Sequence, residues 1–344
     1  MMKNIMVSVV MAVYNEEKYV REAIDSIIAQ TYQDWEMIIV NDASTDKTAE
    51  ILKEYEQRDS RIKVLTNEVN KKLPASLNYG IQAAKGKYIL RMDADDICSK
   101  ERFEKQVSYM EKHEDVALSW GLGFSYYNDE ILNEVISSSV EYEKLKAMLL
   151  FFCPVYHNCV IMRSEIFREF AYQPEFTISE DWKLWSQIVQ KKKMQGVRDY
   201  YVLYRTHDGQ ASSTKNKDIQ KKQVKNILED MMKSVGFQIS ETDIEYQIEL
   251  IFGTDKIDEN RFLDWAKRME EQNHACGWCK AKNFQYTVMW KLDDLFRNAR
   301  ISAADYCKLS CKISTWSFFG YWVRKILTAS VDVFYRQVGK KQFI

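Results

Sequence analysis

The chain has 344 residues and a formal net charge of −1 at pH 7. That length is more than one ordinary domain and fewer than three, and a hydrophobic fraction of 46% is enough to build a sizeable core. A net charge so close to zero gives no electrostatic reason to expect a nucleic-acid partner. The 7 cysteines are an odd number in a long chain, which favours reduced thiols in a cytoplasmic protein over a disulfide framework.

Neither the start of the chain nor its interior predicts a membrane-inserted segment. The run Met1–Val13 is apolar only over a short stretch and lacks the small-residue cleavage site of a signal peptide. No stretch reaches about 18 uninterrupted apolar residues, so we predict no membrane-spanning helix.

Strands and helices alternate through the first half of the chain. Met6–Val13 has the composition of a buried strand, and Asn15 is the candidate N-cap of the helix after it. The strand Glu36–Val40 is followed by a second helix that ends near Gln57. The later predicted elements are the strands Arg61–Thr66 and Tyr88–Arg91 and, between them, a helix with Pro74 in its first turn and Gly86 after its end.

This alternation predicts an α/β fold, a doubly wound, mostly parallel sheet with helices on both faces. Ligands of such sheets bind beyond the carboxyl ends of the strands. Three polar clusters lie at such ends, Tyr14–Glu16, Asn41–Asp42 and Asp93–Asp96. The pattern becomes helical after about residue 213, so we predict a first domain over residues 1–214 and a mainly helical region over 215–344.

Five motifs, in this order, resemble the inverting family 2 glycosyltransferases of the GT-A fold. The motifs are Ser8–Glu16, Val40–Asp46, Arg91–Asp96, Ser179–Trp185, and Tyr204–His207 with Ser212. The resemblance covers about residues 5–213 and is to bacterial transferases that build capsule, exopolysaccharide or O-antigen. It implies an enzyme that moves one sugar from a UDP-sugar donor to a saccharide acceptor, which is often lipid-linked in similar enzymes.

The Asp-x-Asp segment after the fourth strand implies a metal ion. A hard divalent ion, Mn²⁺ or Mg²⁺, binds oxygen ligands and neutralises a diphosphate leaving group. Asp95 is the first candidate ligand. The resemblance implies that Asp93 would reach the ribose or a metal-bound water, with Asp96 as the alternative ligand. The resemblance also implies that His207 helps to hold the metal or the diphosphate. The competing interpretation is a solvated acidic turn that caps the helix after Ser99.

The resemblance also implies a set of donor contacts. Asp42 would accept a hydrogen bond from uracil N3–H, and Tyr14 or nearby backbone would pack on the base. A turn-forming role is the alternative for Asp42, and a helix or strand-end role is the alternative for Asn78 and Arg91. The implied nucleotide-sugar contacts are Ala12, Tyr14, Asn15, Glu16, Asp42, Asn78, Arg91, Asp93 and Ala94.

Inversion at the anomeric carbon requires one base to deprotonate the acceptor hydroxyl. By the acidic pair of the fourth motif, Asp181 fits that role and Glu180 is the second candidate. The alternative is that both carboxylates only favour the N-terminus of the helix Asp181–Val189. His157 lies where similar enzymes line the acceptor pocket.

Two further features have simpler interpretations available. Cys276, Cys279, Cys307 and Cys311 could supply a zinc site, but the second pair has a spacing that equally fits one helical face. The segment Trp316–Lys325 mixes aromatic and basic residues. It is a candidate for peripheral contact with the inner face of the plasma membrane, with a helix packed on the protein as the alternative.

Other functions fit the sequence less well. A nucleotidyltransferase commonly has a Gly-rich basic loop near its start, whereas the first strand here leads into the acidic segment Tyr14–Glu17. A non-catalytic sugar-nucleotide binding module would lack the base or the metal ligands, and candidates for both are present. Processive polymerases of this kind usually carry a Gln-x-x-Arg-Trp motif, which this sequence does not contain.

Overall fold

The computed structural model describes residues 5–128, 130–136, 140–207 and 216–313. These residues form two compact units. The first extends to Val140 and resumes at Val155, and the second combines Glu141–Pro154 with the helices from Lys217 onward. The sequence pattern did not indicate that Glu141–Pro154 belongs with the C-terminal helices.

Several sequence predictions fall outside the described residues. They are the boundary near residue 215, Ser212, and the basic aromatic segment Trp316–Lys325. Within the described ranges, none of the helices combines the length and the apolar character needed to cross a membrane.

The first unit contains all the strands of the described chain, and the second contains helices. In chain order the first unit has β1 (Val7–Val13), α1 (Val20–Ile28), β2 (Trp35–Asn41), α2 (Thr48–Arg58), β3 (Ile62–Thr66), α3 (Leu73–Ala83), β4 (Tyr88–Arg91), β5 (Ile97–Cys98), α4 (Arg102–Lys112), β6 (Val116–Tyr127), β7 (Glu130–Ile136), β8 (Val160–Arg163), α6 (Glu180–Ile188) and β9 (Lys193–Arg205), with 3-10 helices at His157–Cys159 and Ser164–Arg168. The second unit has α5 (Tyr142–Met148), α7 (Lys217–Ser234), α8 (Glu241–Phe252), α9 (Glu259–Cys276), α10 (Ala281–Arg297) and α11 (Ala303–Ile313).

The α/β sheet is confirmed, but it is mixed and not mostly parallel. Its strand order is β3-β2-β1-β4-β8-β6-β9-β5, with β7 paired to β6. Pairing is parallel between β1, β2, β3 and β4 and between β6 and β9, and antiparallel for β4–β8, β6–β8, β5–β9 and β6–β7. Apolar runs reveal buried strands but not their direction, which is predictable only where a helix separates consecutive strands.

Different helices cover the two faces of the sheet, as the alternation predicted. On one face, Met11 of β1 shares a core with Ile24 of α1 and Leu52 of α2. On the other face, α3 lies so close that a Cβ on Gly80 would be 2.7 Å from Val10 Cγ1. Each fully buried Val, Ile or Leu contributes roughly 1.5–3 kcal/mol. The resulting core fixes the carboxyl ends of β1, β2 and β4 at one edge of the sheet.

The first helix begins later than predicted, at Val20, and Asn15 is not its N-cap. Asn15 has φ of 57°, a left-handed conformation that Asn tolerates better than most residues. Its Oδ1 accepts a hydrogen bond from Thr45 N at 2.7 Å, and its own N donates to Ser44 Oγ at 3.1 Å. Asn15 therefore ties the loop after β1 to the loop after β2 and shapes the edge where ligands are expected.

The second unit has its own aromatic core. Trp265 of α9 packs edge-on against Phe151 with ring centroids 5.5 Å apart, and Phe284 of α10 lies 5.6 Å from the same ring. Buried Asn273 accepts a hydrogen bond from Cys279 N and donates to Cys279 O. The predicted helical C-terminal region is confirmed for the described residues.

Candidate active site

Three carboxylates converge in the turn Asp93–Asp96, which follows β4 and is called the acidic turn below. The carboxylate oxygens of Asp93, Asp95 and Asp96 all lie within 4.8 Å of one another. The side chains of Asp93 and Asp95 are 29% and 17% exposed, whereas Asp96 is fully buried. The turn therefore offers two accessible oxygen donors and one internal carboxylate.

Burial and nearby negative charge disfavour the charged forms of Asp95, Asp96 and Glu16. Burial and the charge of Asp93 raise the pKa of Asp95, and burial with both neighbouring charges raises that of Asp96 well above its usual range. Burial and the charges of Asp95 and Asp93 likewise raise the pKa of Glu16 to about 8. The acidic turn concentrates carboxylate groups, and Arg91 forms an ion pair with one of them, Asp93. Its oxygen donors fit a hard divalent cation such as Mn²⁺ or Mg²⁺.

The partners of the three aspartates differ. Asp96 accepts hydrogen bonds on both oxygens, from Arg205 N at 2.9 Å and from Asn158 Nδ2. Asp95 Oδ2 lies 3.1 Å from His207 Nε2, and Asp93 forms an ion pair with Arg91. Asp96 is thus engaged by protein donors and anchors the turn. Asp95 is the better placed of the two candidate ligands that the sequence left open.

A cleft of ≈ 740 Å³ lies after the end of β1, and two of its lining residues, Arg205 and His207, contact Asp95 of the acidic turn. It brings the first and last motifs together, although they are nearly 200 residues apart in sequence. The lining includes the predicted site residues Tyr14, Asn15, Glu16 and His207. The other lining residues are Glu17, Lys18, Tyr19, Asp46, Tyr127, Asn128, Arg205 and Thr206.

Asp42, at the end of β2, is buried and already hydrogen-bonded. Its Oδ1 accepts from Asn67 Nδ2 at 2.7 Å and from Lys71 N at 2.8 Å, and its Oδ2 accepts from Lys72 N at 2.9 Å. An ionised carboxylate has about four acceptor positions. Three protein donors therefore leave roughly one acceptor position of Asp42 unused.

The side chain of Asn78 binds protein backbone. Its Nδ2 donates to Tyr172 O at 2.7 Å, and its Oδ1 accepts from Tyr172 N at 3.0 Å. This geometry supports the helix-polar alternative for Asn78 over direct donor contact. Arg91 is buried, and its guanidinium contacts Asp93 and Asn158.

The remaining predicted donor contacts surround the end of β1 and the acidic turn. Tyr14 has 46% of its surface exposed, so its ring is available for stacking. Ala12 is partly buried in β1, and Ala94 is buried within the acidic turn. Neither alanine side chain can offer more than van der Waals contact.

The acidic pair Glu180-Asp181 forms the first turn of α6. Burial raises the pKa of Glu180 to about 7. Burial and the charge of Glu180 raise the pKa of Asp181 to about 6. Glu180 is 6% exposed, whereas Asp181 is partly exposed. Asp181 is therefore the more accessible carboxylate, with a pKa suited to proton exchange near neutral pH.

His157 is buried between α6 and the segment that contains Tyr172. Its Nε2 lies 2.6 Å from the Tyr172 hydroxyl oxygen, and its Nδ1 lies 3.4 Å from Glu180 Oε1. Burial and the positive charge of Arg91 lower the pKa of His157 to about 3. The imidazole is neutral at physiological pH and faces one member of the acidic pair.

Sequence reasoning missed Asn158 and Arg205. Asn158 is fully buried and bridges Arg91 and Asp96. Arg205 donates from Nε to the Asp95 carbonyl oxygen at 2.9 Å, and its guanidinium lies over the rings of Tyr19 and Tyr126. Both residues adjoin predicted ones, since Asn158 follows His157 and Arg205 is within the last motif.

Comparison with known proteins identifies a family. Residues 8–170 match the glycosyl transferase family 2 model. An uncharacterized glycosyltransferase from Haemophilus influenzae is 34% identical over 224 residues, which cover 61% of this chain and 68% of that protein. The Escherichia coli UDP-Glc:alpha-D-GlcNAc-diphosphoundecaprenol beta-1,3-glucosyltransferase WfgD is 29% identical over 236 residues, which cover 68% of this chain and 89% of WfgD.

A solved structure shares the fold. S. aureus TarS 1-349 in complex with UDP-GlcNAc superposes with a TM-score of 0.57 at 16% sequence identity, covering 86% of this chain and 89% of that one.

Proposed function

The chain is a glycosyltransferase that belongs to family 2, and we propose that it is metal-dependent, inverts the anomeric carbon and uses a UDP-sugar donor. The observation that carries this proposal is the acidic turn with His207, set beside a cleft lined by Tyr14–Glu16. The name of WfgD specifies a UDP-Glc donor and a diphosphoundecaprenol-linked acceptor. We extend that chemistry to this chain as a lipid-linked saccharide acceptor in bacterial surface polysaccharide synthesis.

Asp95 and Asp93 are the residues that would hold Mn²⁺ or Mg²⁺, with His207 beside Asp95. When bound, the ion neutralises the diphosphate so that it can leave. Asp96 holds the turn in place through Arg205 N. The family assignment decides against the nucleotidyltransferase considered from the sequence.

The nucleotide would lie between the ends of β1 and β2. Asp42 has roughly one acceptor position left, which suits a single donor such as uracil N3–H. The exposed ring of Tyr14 is the candidate stacking surface for the base. Because a carboxylate accepts only from a protonated ring nitrogen, Asp42 would discriminate between bases in this placement.

Asp181 would take the proton of the acceptor hydroxyl as that oxygen forms its bond to the anomeric carbon. The bond from that carbon to the diphosphate oxygen breaks in the same in-line step, which inverts the configuration. The raised pKa of Asp181 makes it a stronger base than an ordinary surface aspartate.

Product analysis tests this function directly. The protein is incubated with a panel of UDP-sugars and a diphosphoundecaprenol-linked saccharide, and the new linkage is examined by NMR. The expected product has the anomeric configuration opposite to that of the donor and forms only with Mn²⁺ or Mg²⁺. Retained configuration, or full turnover in EDTA, would contradict the proposal.

The activity should decrease as the pH falls through about 6. The pKa of Asp181 is raised to about 6, so this carboxylate takes up a proton, and can no longer act as a base, at a higher pH than an ordinary aspartate. We expect kcat/KM to be level above pH about 7 and to fall about tenfold per pH unit below about 6. Initial rates across this range, with melting temperatures at each pH, check this. A flat profile down to pH 5 would argue against Asp181 as the base.

A lipid-linked acceptor would bring the enzyme to the inner face of the plasma membrane. The basic aromatic segment Trp316–Lys325 is our candidate for contact with anionic lipid. Cosedimentation with anionic vesicles should be reduced in a variant lacking residues 314–344. Equal pelleting of both forms would reject this role.

A further inference from the structure

The segment His157–Asn158 reaches two parts of the active site at once. It lies in the 3-10 helix directly before β8, and β8 pairs antiparallel with β4, so the segment lies just past the end of β4. Its two consecutive side chains contact different elements. Asn158 contacts the acidic turn, and His157 contacts the start of α6.

Asn158 joins Arg91 to Asp96 through a single amide. Its Oδ1 accepts a hydrogen bond from Arg91 Nη1, and its Nδ2 donates one to Asp96 Oδ2. A guanidinium only donates, so the amide oxygen of Asn158 must face Arg91 and its NH2 group faces Asp96. Arg91 also pairs with Asp93, so Asn158 is connected to the acidic turn directly at Asp96 and through Arg91 at Asp93.

His157 contacts Glu180, Tyr172 and Trp185 through its ring. The Glu180 carboxylate needs a donor, so the proton of the neutral imidazole is placed on Nδ1. Nε2 then accepts a hydrogen bond from the Tyr172 hydroxyl. The backbone of Tyr172 is itself fixed by both side-chain groups of Asn78. The imidazole also packs edge-on against Trp185 of α6, with centroids 5.7 Å apart. The start of α6 is thereby tied to the same short segment as the acidic turn.

We infer that the His157–Asn158 segment sets the position of α6, which carries Asp181, relative to the acidic turn. Two adjacent residues share one planar peptide unit, so a shift of this short segment would displace both groups that it contacts. Catalytic groups misplaced by about 1 Å can cost roughly 10²-fold in rate. Both residues act through others and are positioning residues. This inference rests on the proposed function, since it presumes that the acidic turn takes the donor and that Asp181 is the base.

The test separates the two contacts. Asn158→Asp keeps an acceptor for Arg91 but faces Asp96 with a second carboxylate. We expect its Kd for UDP in Mn²⁺, measured by calorimetry, to rise at least about tenfold. His157→Phe keeps the ring packing and removes both nitrogens. We expect its kcat to fall at least about tenfold while its Kd for UDP stays within about twofold.

Asn273→Leu in α9 is the matched control, because it removes an equally buried amide outside the site. If the two residues had a purely structural role, Asn158→Asp and His157→Phe would lower the melting temperature and the activity in the same way as this control. Neither variant would then show a selective effect on the Kd for UDP or on kcat. That result would overturn the inference. Where Asn158→Asp does not fold, Asn158→Ser carries the same test.

The same measurements distinguish the inference from the proposed function. Wild-type protein that binds no UDP and transfers no sugar would defeat the proposed function. Wild-type protein that does both, with Asn158→Asp and His157→Phe unaffected, would defeat only the positioning role of this segment.

Discussion

Asp181→Asn is expected to lower kcat by about 10²- to 10⁴-fold, the usual contribution of a general base, and to leave the Kd for UDP within about twofold. An amide cannot take the proton of the acceptor hydroxyl, but the replacement has nearly the same volume. Asp181 is partly exposed at the start of α6, whereas Glu180 is buried and faces His157. Initial rates at saturating donor, together with calorimetric titration of UDP, measure the two quantities.

Glu180→Gln is the matched control for this substitution. It changes the adjacent carboxyl by the same chemistry, and we expect a smaller loss of kcat because Glu180 only supports the neighbouring structure. A large loss in Glu180→Gln with little change in Asp181→Asn would transfer the role of base to Glu180.

Asp95→Asn is expected to reduce kcat on the order of 10³-fold and to abolish the effect of Mn²⁺ on UDP affinity. Metal ions contribute several kcal/mol by stabilising charge on a leaving group. An amide oxygen is a neutral and weaker ligand than a carboxylate for such an ion. Asp95 is also the accessible aspartate beside His207. The measurement is UDP titration with Mn²⁺ and with EDTA, alongside initial rates at several Mn²⁺ concentrations.

Asp96→Asn is the comparison that decides between the two candidate ligands. Asp96 is fully buried and accepts from Arg205 N and Asn158 Nδ2, so we expect its replacement to lower the melting temperature more than Asp95→Asn does. Unchanged Mn²⁺ dependence in Asp95→Asn, with loss of that dependence in folded Asp96→Asn, would make Asp96 the direct ligand.

Local sequence patterns were enough to predict the strands and helices from β1 to β4. The strand Tyr88–Arg91 was predicted at its observed limits, because an apolar run there ends at a charged turn. The start of α1 was misplaced because Asn15 satisfies the backbone of the β2–α2 loop, a contact between segments about 30 residues apart. The antiparallel pairing of β8 with β4 and β6 depends on contacts still further apart in sequence.

The candidate site also combines features that local patterns predict with features that depend on contacts between distant segments. Motifs predicted which elements carry acids at the ligand-binding edge, and the structure places the carboxylates of the acidic turn together there. Asn158 could not be predicted, because its role depends on β8 lying beside β4. For Asn78 the sequence left donor contact and a helix-polar role open, and only the structure shows that its side chain binds the backbone of Tyr172.

Calorimetric titration of the purified protein with UDP, GDP and CDP, each in Mn²⁺ and again in EDTA, tests the metal-dependent UDP site most directly. We predict that UDP binds in Mn²⁺, that its affinity falls at least about tenfold in EDTA, and that GDP and CDP bind more weakly. Binding of no nucleotide by folded protein, or equal UDP affinity with and without the metal ion, would contradict the site described around Asp42 and Asp95.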